Sequence, residues 1–232
     1  EKHYYLLNIE CTNMEINLLK SLPASQKPLT IRKQVTQKDR ILSWRLSNEY
    51  FDGTREQGCG GYYDDNRWGP VAEDFIEHYN LQPDAKILDI GCAKGFLLKE
   101  FKRLLPAAET CGVDISDYAI ENCPPSIIEH VYIANADNLP FRDNYFDLVI
   151  SINSLHNIMD LDQLSNSFSE INRVSKNSSN AFVSLGAYEN EDERMVLDNW
   201  AVVASAYMHV DNWKAFFNKV SYIGDYMWFK PK

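Results

Sequence analysis

From residue 86 onward, apolar positions along this 232-residue chain change spacing in a regular way. Ile87, Leu88 and Ile90 crowd together, and Leu148 to Ile152 is nearly continuous, as in parallel strands covered on both faces. Leu161, Leu164, Phe168, Ile171 and Val174 instead recur every three or four residues, which predicts an amphipathic helix over 160–174. The same reading predicts strands over 86–89, 110–116, 131–137, 148–152, 180–186 and 222–229, with a strand-like stretch over 201–210. Helices are predicted after Gly95, near Asp117, over 189–197 and over 211–220, the last with Asp211 as N-cap. Strand and helix thus alternate to the C-terminus, which predicts an α/β fold with a doubly wound sheet.

The most specific segment is Lys86 to Leu98. It reads as a buried strand ending at Asp89, a turn of small residues and the opening of a helix. Gly91 and Gly95 let the backbone turn sharply and leave room for a ligand, and the helix start offers free N–H groups. A dinucleotide fingerprint needs three small positions, here Gly91, Ala93 and Phe96, and phenylalanine at the third argues against NAD or FAD.

The spacing Asp89-x-Gly91-x-Ala93-x-Gly95 resembles motif I of the class I S-adenosylmethionine (SAM)-dependent methyltransferases, with alanine at one glycine position. An alanine held at positive φ would cost roughly 1–2 kcal/mol, so residue 93 either keeps a negative φ or strains the turn. Residues 89–95, Cys92 and Ala93 included, form the first part of the expected cofactor site. Asp114, at the end of the second strand, is placed to accept the ribose hydroxyls with Ile115 beside it. It could instead cap the helix near Asp117, a role open also to Ser116. The run Asp137-Asn-Leu-Pro-Phe-Arg-Asp-Asn-Tyr-Phe-Asp-Leu-Val-Ile-Ser151 resembles the post-I and motif II region of methyltransferases acting on small molecules and quinones. The resemblance covers about residues 71–232. It implies an adenine contact from Asp137, with Asn138 and Asn153 nearby, and a Rossmann-like, mostly parallel seven-stranded sheet whose last strand is antiparallel.

Residues 1–70 fall outside the alternation and are expected to form an N-terminal helical extension, leaving 71–232 as the SAM-binding domain. Residues 1–9 suit a strand, Asn13 to Leu22 a short helix ended by Pro23, 25–30 a polar linker, and Thr36 to Phe51 an amphipathic helix with Ile41, Leu42, Leu46 and Tyr50 inward. Phe51 to Pro70 is rich in glycine and clusters Tyr62, Tyr63, Arg67 and Trp68. Such a loop suits a lid, whose rings can cover a sulfonium by cation–π contact. The same rings could simply pack the N-terminal helices onto the sheet.

Composition narrows the setting. At 45% hydrophobic and 12% aromatic residues the chain is globular, and its net charge of −10 gives no electrostatic footprint for nucleic acid. No nucleic-acid partner is therefore expected, and the resemblance to methyltransferases acting on small molecules and quinones implies a small-molecule acceptor. The five cysteines lack zinc or disulfide spacing, and no metal is expected. With no apolar run of membrane-spanning length and no signal-like start, a reducing, cytoplasmic setting is expected without membrane insertion.

Acceptor-side chemistry is less determined. His156, just past the fourth strand, is the expected general base, or else a hydrogen-bonded histidine opening the next helix. Tyr63 is a second catalytic candidate, and Tyr62, Asp64 and Asn153 are candidates for lining the pocket. The expected activity is in-line methyl transfer from SAM, with S-adenosylhomocysteine as product, to an O, N, S or C nucleophile. A SAM-binding regulatory or docking module without turnover, or another nucleotide enzyme, are the alternatives.

Overall fold

The computed structural model describes residues 13–23, 35–203 and 205–230. The expected strand over 1–9 and linker over 25–30 lie outside the described residues. Seven strands form one sheet: β1 (Lys86–Ile90), β2 (Glu109–Asp114), β3 (Val131–Ile133), β4 (Leu148–Ile152), β5 (Ala181–Tyr188), β6 (Met208–His209) and β7 (Asp225–Phe229). Their order is β3-β2-β1-β4-β5, after which the far edge of β5 is shared by β7 along 182–186 and β6 along 187–188.

Among the described residues every strand pair is parallel, the one between β5 and β7 included. The expected doubly wound, mostly parallel sheet is present, but its last strand is parallel where an antiparallel one was expected. The reason is the connection: β7 is reached through a helix, α8 (Val210–Lys219), and a helical crossover returns the chain in the same direction, whereas antiparallel neighbours need only a tight turn.

Strand side chains alternate between two apolar layers. Ile87, Leu148, Ile150 and Phe182 pack on one face with Val71, Ala72 and Phe75 of α3 (Gly69–His78) and Leu97 and Phe101 of α4 (Phe96–Leu104). Leu88, Ile90, Val149, Val183 and Leu185 pack on the other with Leu164, Phe168 and Ile171 of α6 (Leu161–Val174) and Trp213 and Phe217 of α8. Burying an aliphatic or phenyl side chain of this kind contributes about 1.5–3 kcal/mol. Because all strands run the same way, their carboxyl ends, near Ile90, Asp114, Ile133, Ile152 and Tyr188, meet at one rim of the molecule.

Several local expectations give way to tertiary contacts. Residues 13–22 form no helix: Ile16 N–H donates to Tyr226 O and Tyr226 N–H to Met14 O, both at 2.9 Å, so this segment pairs with β7. Residues 36–51 form two short helices, α1 (Gln37–Ser43) and α2 (Asn48–Phe51), separated where Leu46 takes φ +48°. Ser116 Oγ donates to the Leu46 carbonyl at 2.5 Å and holds that break, while Ile41, expected inward, is 47% exposed. Among the described residues, the strand-like 201–210 stretch joins the sheet only at β6. Helix α8 starts one residue early, with His209 rather than Asp211 as N-cap; the His209 ring accepts the Asp211 N–H, and Asp211 occupies the first turn.

Candidate cofactor site

The turn after β1 holds Gly91 at φ +75°, Ala93 at +50° and Gly95 at +69°. Ala93 therefore takes the strained alternative. Its N–H donates to Asp114 Oδ2 at 2.8 Å, and Asp114 Oδ1 accepts the Ser116 N–H at 2.9 Å. The second-strand acid thus fixes the turn that follows the first strand. An ionised carboxylate has about four lone-pair sites, so Asp114 retains capacity toward a ribose. The capping role falls to Ser116, whose Oγ accepts the Ala119 N–H of α5 (Asp117–Glu121) at 3.0 Å.

Asp89 is 5% exposed, and among the described residues no side chain or backbone group hydrogen-bonds its carboxylate. Burial first, and the charge of Asp114 second, push its pKa up to about 7. Burial also raises Asp114, opposed by the N–H groups of Ser116, Ala93 and Ile115. Two neighbouring carboxyl groups at the rim, one of them with no hydrogen bond from the described residues, fit a ligand bringing hydroxyl and cationic groups. A side chain at residue 91 would collide with Ser154 Oγ at 1.9 Å, so only glycine lets the β4 loop close on the turn. These features fit an adenosyl ligand carrying a cationic amino-acid tail. Cys92 is buried, and its thiol, pushed up by burial, contacts the Ala93 carbonyl.

The remaining expected residues lie along the same rim. Ile115 is 55% exposed. Asp137 is half-buried and Asn138 exposed in the loop after β3, which α6 pins: Glu170 accepts the Leu139 N–H at 2.7 Å, and Arg173 donates to the carbonyls of Leu139 and Phe141. Asn153 ends β4 with φ +52° and accepts from Ser184 Oγ at 2.8 Å.

His156 departs from the expected arrangement. It is 1% exposed, its Nδ1 accepts the Gly186 N–H at 3.0 Å, and burial lowers its pKa to about 4. A histidine so enclosed and so weakly basic is poorly placed to take a proton from an acceptor. The second of its two readings, a hydrogen-bonded histidine in the fold, describes this geometry. Tyr63 is 60% exposed, and Asp64 pairs with Lys99.

Sequence reasoning missed Lys94 and Asp52. Lys94, 7% exposed inside the turn, donates to both Asp52 oxygens at 2.9 and 2.6 Å and to Tyr62 O at 2.9 Å. Asp52 also accepts the Tyr118 hydroxyl at 2.6 Å and the Tyr62 N–H at 3.2 Å. A lysine inside a small-residue turn was the available signal, but its partner lies 42 residues upstream in sequence. The Tyr62 ring stacks on Phe96 at 5.0 Å and 23°.

Residues 88–183 match the methyltransferase domain family, a span that includes the turn, Asp114, Asp137 and the fourth strand. Over that span the chain carries a methyltransferase domain. The site described above fits SAM, the cofactor that the motif resemblance implies. The chain is 32% identical over 147 residues to the tRNA (carboxymethyluridine(34)-5-O)-methyltransferase of Arabidopsis thaliana, covering 63% of this chain and 34% of that one. It is 39% identical over 89 residues to the mitochondrial arginine-hydroxylase NDUFAF5 of Mus musculus (36% and 24%). It is 33% identical over 96 residues to the ubiquinone/menaquinone biosynthesis C-methyltransferase of Hahella chejuensis (38% and 39%). The chain therefore spans between about a quarter and two fifths of the length of these relatives. In fold it is similar to a chain of the solved complex between the Haloferax volcanii Trm112 methyltransferase activator and a methyltransferase, with TM-score 0.57 and 16% identity over 81% of this chain and 77% of that one.

These relatives correct one expectation. Acidic composition argued against nucleic acid, yet the relative matched over the longest stretch among these three is named as a tRNA methyltransferase. Net charge sums the whole chain and does not describe the face that meets an acceptor, so it does not exclude RNA. Among the described residues no helix is long and apolar enough to cross a membrane.

Proposed function

We propose that this protein transfers the methyl group of SAM to an oxygen acceptor that arrives already nucleophilic, the carboxylate of a modified tRNA uridine. The observation that carries this reading is the state of His156. With its Nδ1 engaged and its basicity lowered by burial, the residue best placed by sequence to act as base is not arranged as one. A carboxylate needs no base, and the tRNA methyltransferase relative supplies the acceptor class.

Bound SAM supplies an activated methyl group on a sulfonium. The chain's own residues supply position. The turn from Gly91 to Gly95 and the N–H groups opening α4 cradle the amino-acid and ribose end, Asp114 accepts the ribose hydroxyls, and Asp137 and Asn138 meet the adenine with Ile115 against its face. Holding donor and acceptor in line is worth up to about 7–11 kcal/mol in favourable cases.

Methyl-labelled SAM incubated with the protein and either total tRNA or a small-molecule extract containing quinones tests the proposal. Label in tRNA that is released by mild alkali, as a methyl ester is, supports it. Label confined to the small-molecule fraction overturns the RNA acceptor. No transfer to either, from protein that binds S-adenosylhomocysteine, overturns turnover and favours a binding module.

A further inference from the structure

Residues 36–68 lie across the rim that carries the cofactor turn, and their attachments are mostly polar. Between 36 and 67, Phe51 is the one apolar side chain among the described residues that is fully buried. Further ties include the Leu46 carbonyl to Ser116, Asp52 to Lys94 and Tyr118, Asp64 and Asn66 to Lys99, and Arg40 to the Ala201 carbonyl, with ring contacts of Phe51 to Tyr118 and Tyr62 to Phe96 and with Trp68 packed on the core at the segment's end. Turns at Gly60 and Gly61, with φ +68° and +96°, separate the Asp52 and Tyr62 ends of this segment. A segment with little buried apolar surface opens at a lower free energy than the core beneath it.

One side chain joins this segment to the turn itself. All three ammonium protons of Lys94 are engaged, two by the Asp52 carboxylate and one by the Tyr62 carbonyl. Lys94 lies between Ala93, whose strained backbone is held by Asp114, and Gly95, the left-handed residue that opens α4. Moving Asp52 and Tyr62 away would leave this almost buried ammonium without partners, and reshaping the turn would withdraw Lys94 from both.

We propose that residues 36–68 form a lid over the cofactor and that Lys94 is its latch, a positioning residue that couples lid closure to the shape of the cofactor turn. The inference rests on the SAM site assigned above. Closure through a charged pair, with Phe51 and the Tyr62–Phe96 stack as the apolar contacts, lets the lid release product while exposing little of the core.

Amide hydrogen exchange of the full chain, with and without S-adenosylhomocysteine, combined with the ligand's dissociation rate, tests it. In Lys94→Met, exchange over residues 52–62 and ligand dissociation should both rise about tenfold or more, the scale of one lost charge-assisted hydrogen bond. Lys94→Arg, which keeps a charge able to grip Asp52, should restore most of both. Wild-type values of both in Lys94→Met overturn the latch. Should Lys94→Met fail to fold, Asp52→Asn weakens the same pair from the more exposed side and carries the same two outcomes. A wild-type protein that does not bind S-adenosylhomocysteine defeats the cofactor site, while exchange over 52–62 without ligand still decides the latch.

Discussion

The Nδ1 of His156 accepts the backbone N–H of Gly186 at 3.0 Å, so the neutral ring must carry its proton on Nε2. Gly186 is held from its other side as well, its carbonyl accepting the Trp213 indole N–H at 3.0 Å. His156 thus ties the loop after β4 to the middle of β5. With a folded pKa of about 4 against an ordinary 6.5, the unfolded chain binds more protons in that interval, so this contribution is complete above about pH 6.5. It is lost as pH falls toward 4, amounting to about 3 kcal/mol at full protonation.

That relationship separates two variants. His156→Asn can place its amide oxygen near the position of Nδ1 and should keep most of the stability, whereas His156→Ala leaves the Gly186 N–H unpaired and should cost about 1–3 kcal/mol or more. Denaturant unfolding at pH 7.5 measures both. Equal stability of the two variants would remove the structural role.

Ala93 makes a second prediction. At φ +50° it sits where a Cβ is unfavourable, and Ala93→Gly should stabilise the protein by about 1 kcal/mol after allowing for the greater freedom of glycine in the unfolded chain. A rise in thermal midpoint without loss of S-adenosylhomocysteine affinity is the expected result. A fall in midpoint would show that the strain at this turn is not relieved by removing the Cβ.

The spacing of apolar residues made the sheet legible, because strands buried on both faces have little choice of pattern. The placement of Asp89 and Asp114 at the rim was legible for a related reason, since parallel strands bring their carboxyl ends to one side wherever the connections run, whereas the third strand, expected to reach Asp137, ends at Ile133 and leaves Asp137 in the loop that follows. Three features were hidden because they depend on distant partners. The parallel direction of β7 follows from its crossover through α8, the break at Leu46 from a hydroxyl on Ser116, and the environment of His156 from the Gly186 N–H. Local sequence carries none of those contacts. Net charge misled for the same reason, since it averages over faces that never meet the acceptor.

Asp114 makes a third prediction, in which affinity and stability move together. Asp114→Ala removes the acceptor of the Ala93 and Ser116 N–H groups along with the expected ribose contact. Calorimetry should show S-adenosylhomocysteine binding weakened roughly 10–100-fold, the scale of one or two charge-assisted hydrogen bonds. Asp114→Asn, which retains one carbonyl oxygen, should fall between. Unchanged affinity in Asp114→Ala would remove the ribose assignment.

Asp89 gives the last prediction, with the opposite pH sign to His156. Its pKa rises from an ordinary 3.8 to about 7 in the folded protein, so the native state binds the extra proton between those values and stability falls as pH rises through that window. The full effect is about 4 kcal/mol, reached above pH 7, where the buried carboxylate is charged. Asp89→Asn should therefore flatten the decline in ligand-free thermal midpoint between pH 5 and 8. A cationic ligand should act the other way, because a positive charge beside Asp89 favours its ionised form. SAM, which carries a sulfonium, should accordingly gain affinity over neutral-sulfur S-adenosylhomocysteine as pH rises from 6 to 8, and release a proton on binding near pH 6.5. Calorimetry in two buffers of different ionisation enthalpy reads that proton directly. Binding with no proton release, and an Asp89→Asn pH profile matching wild type, would mean that Asp89 is already ionised and partnered in solution.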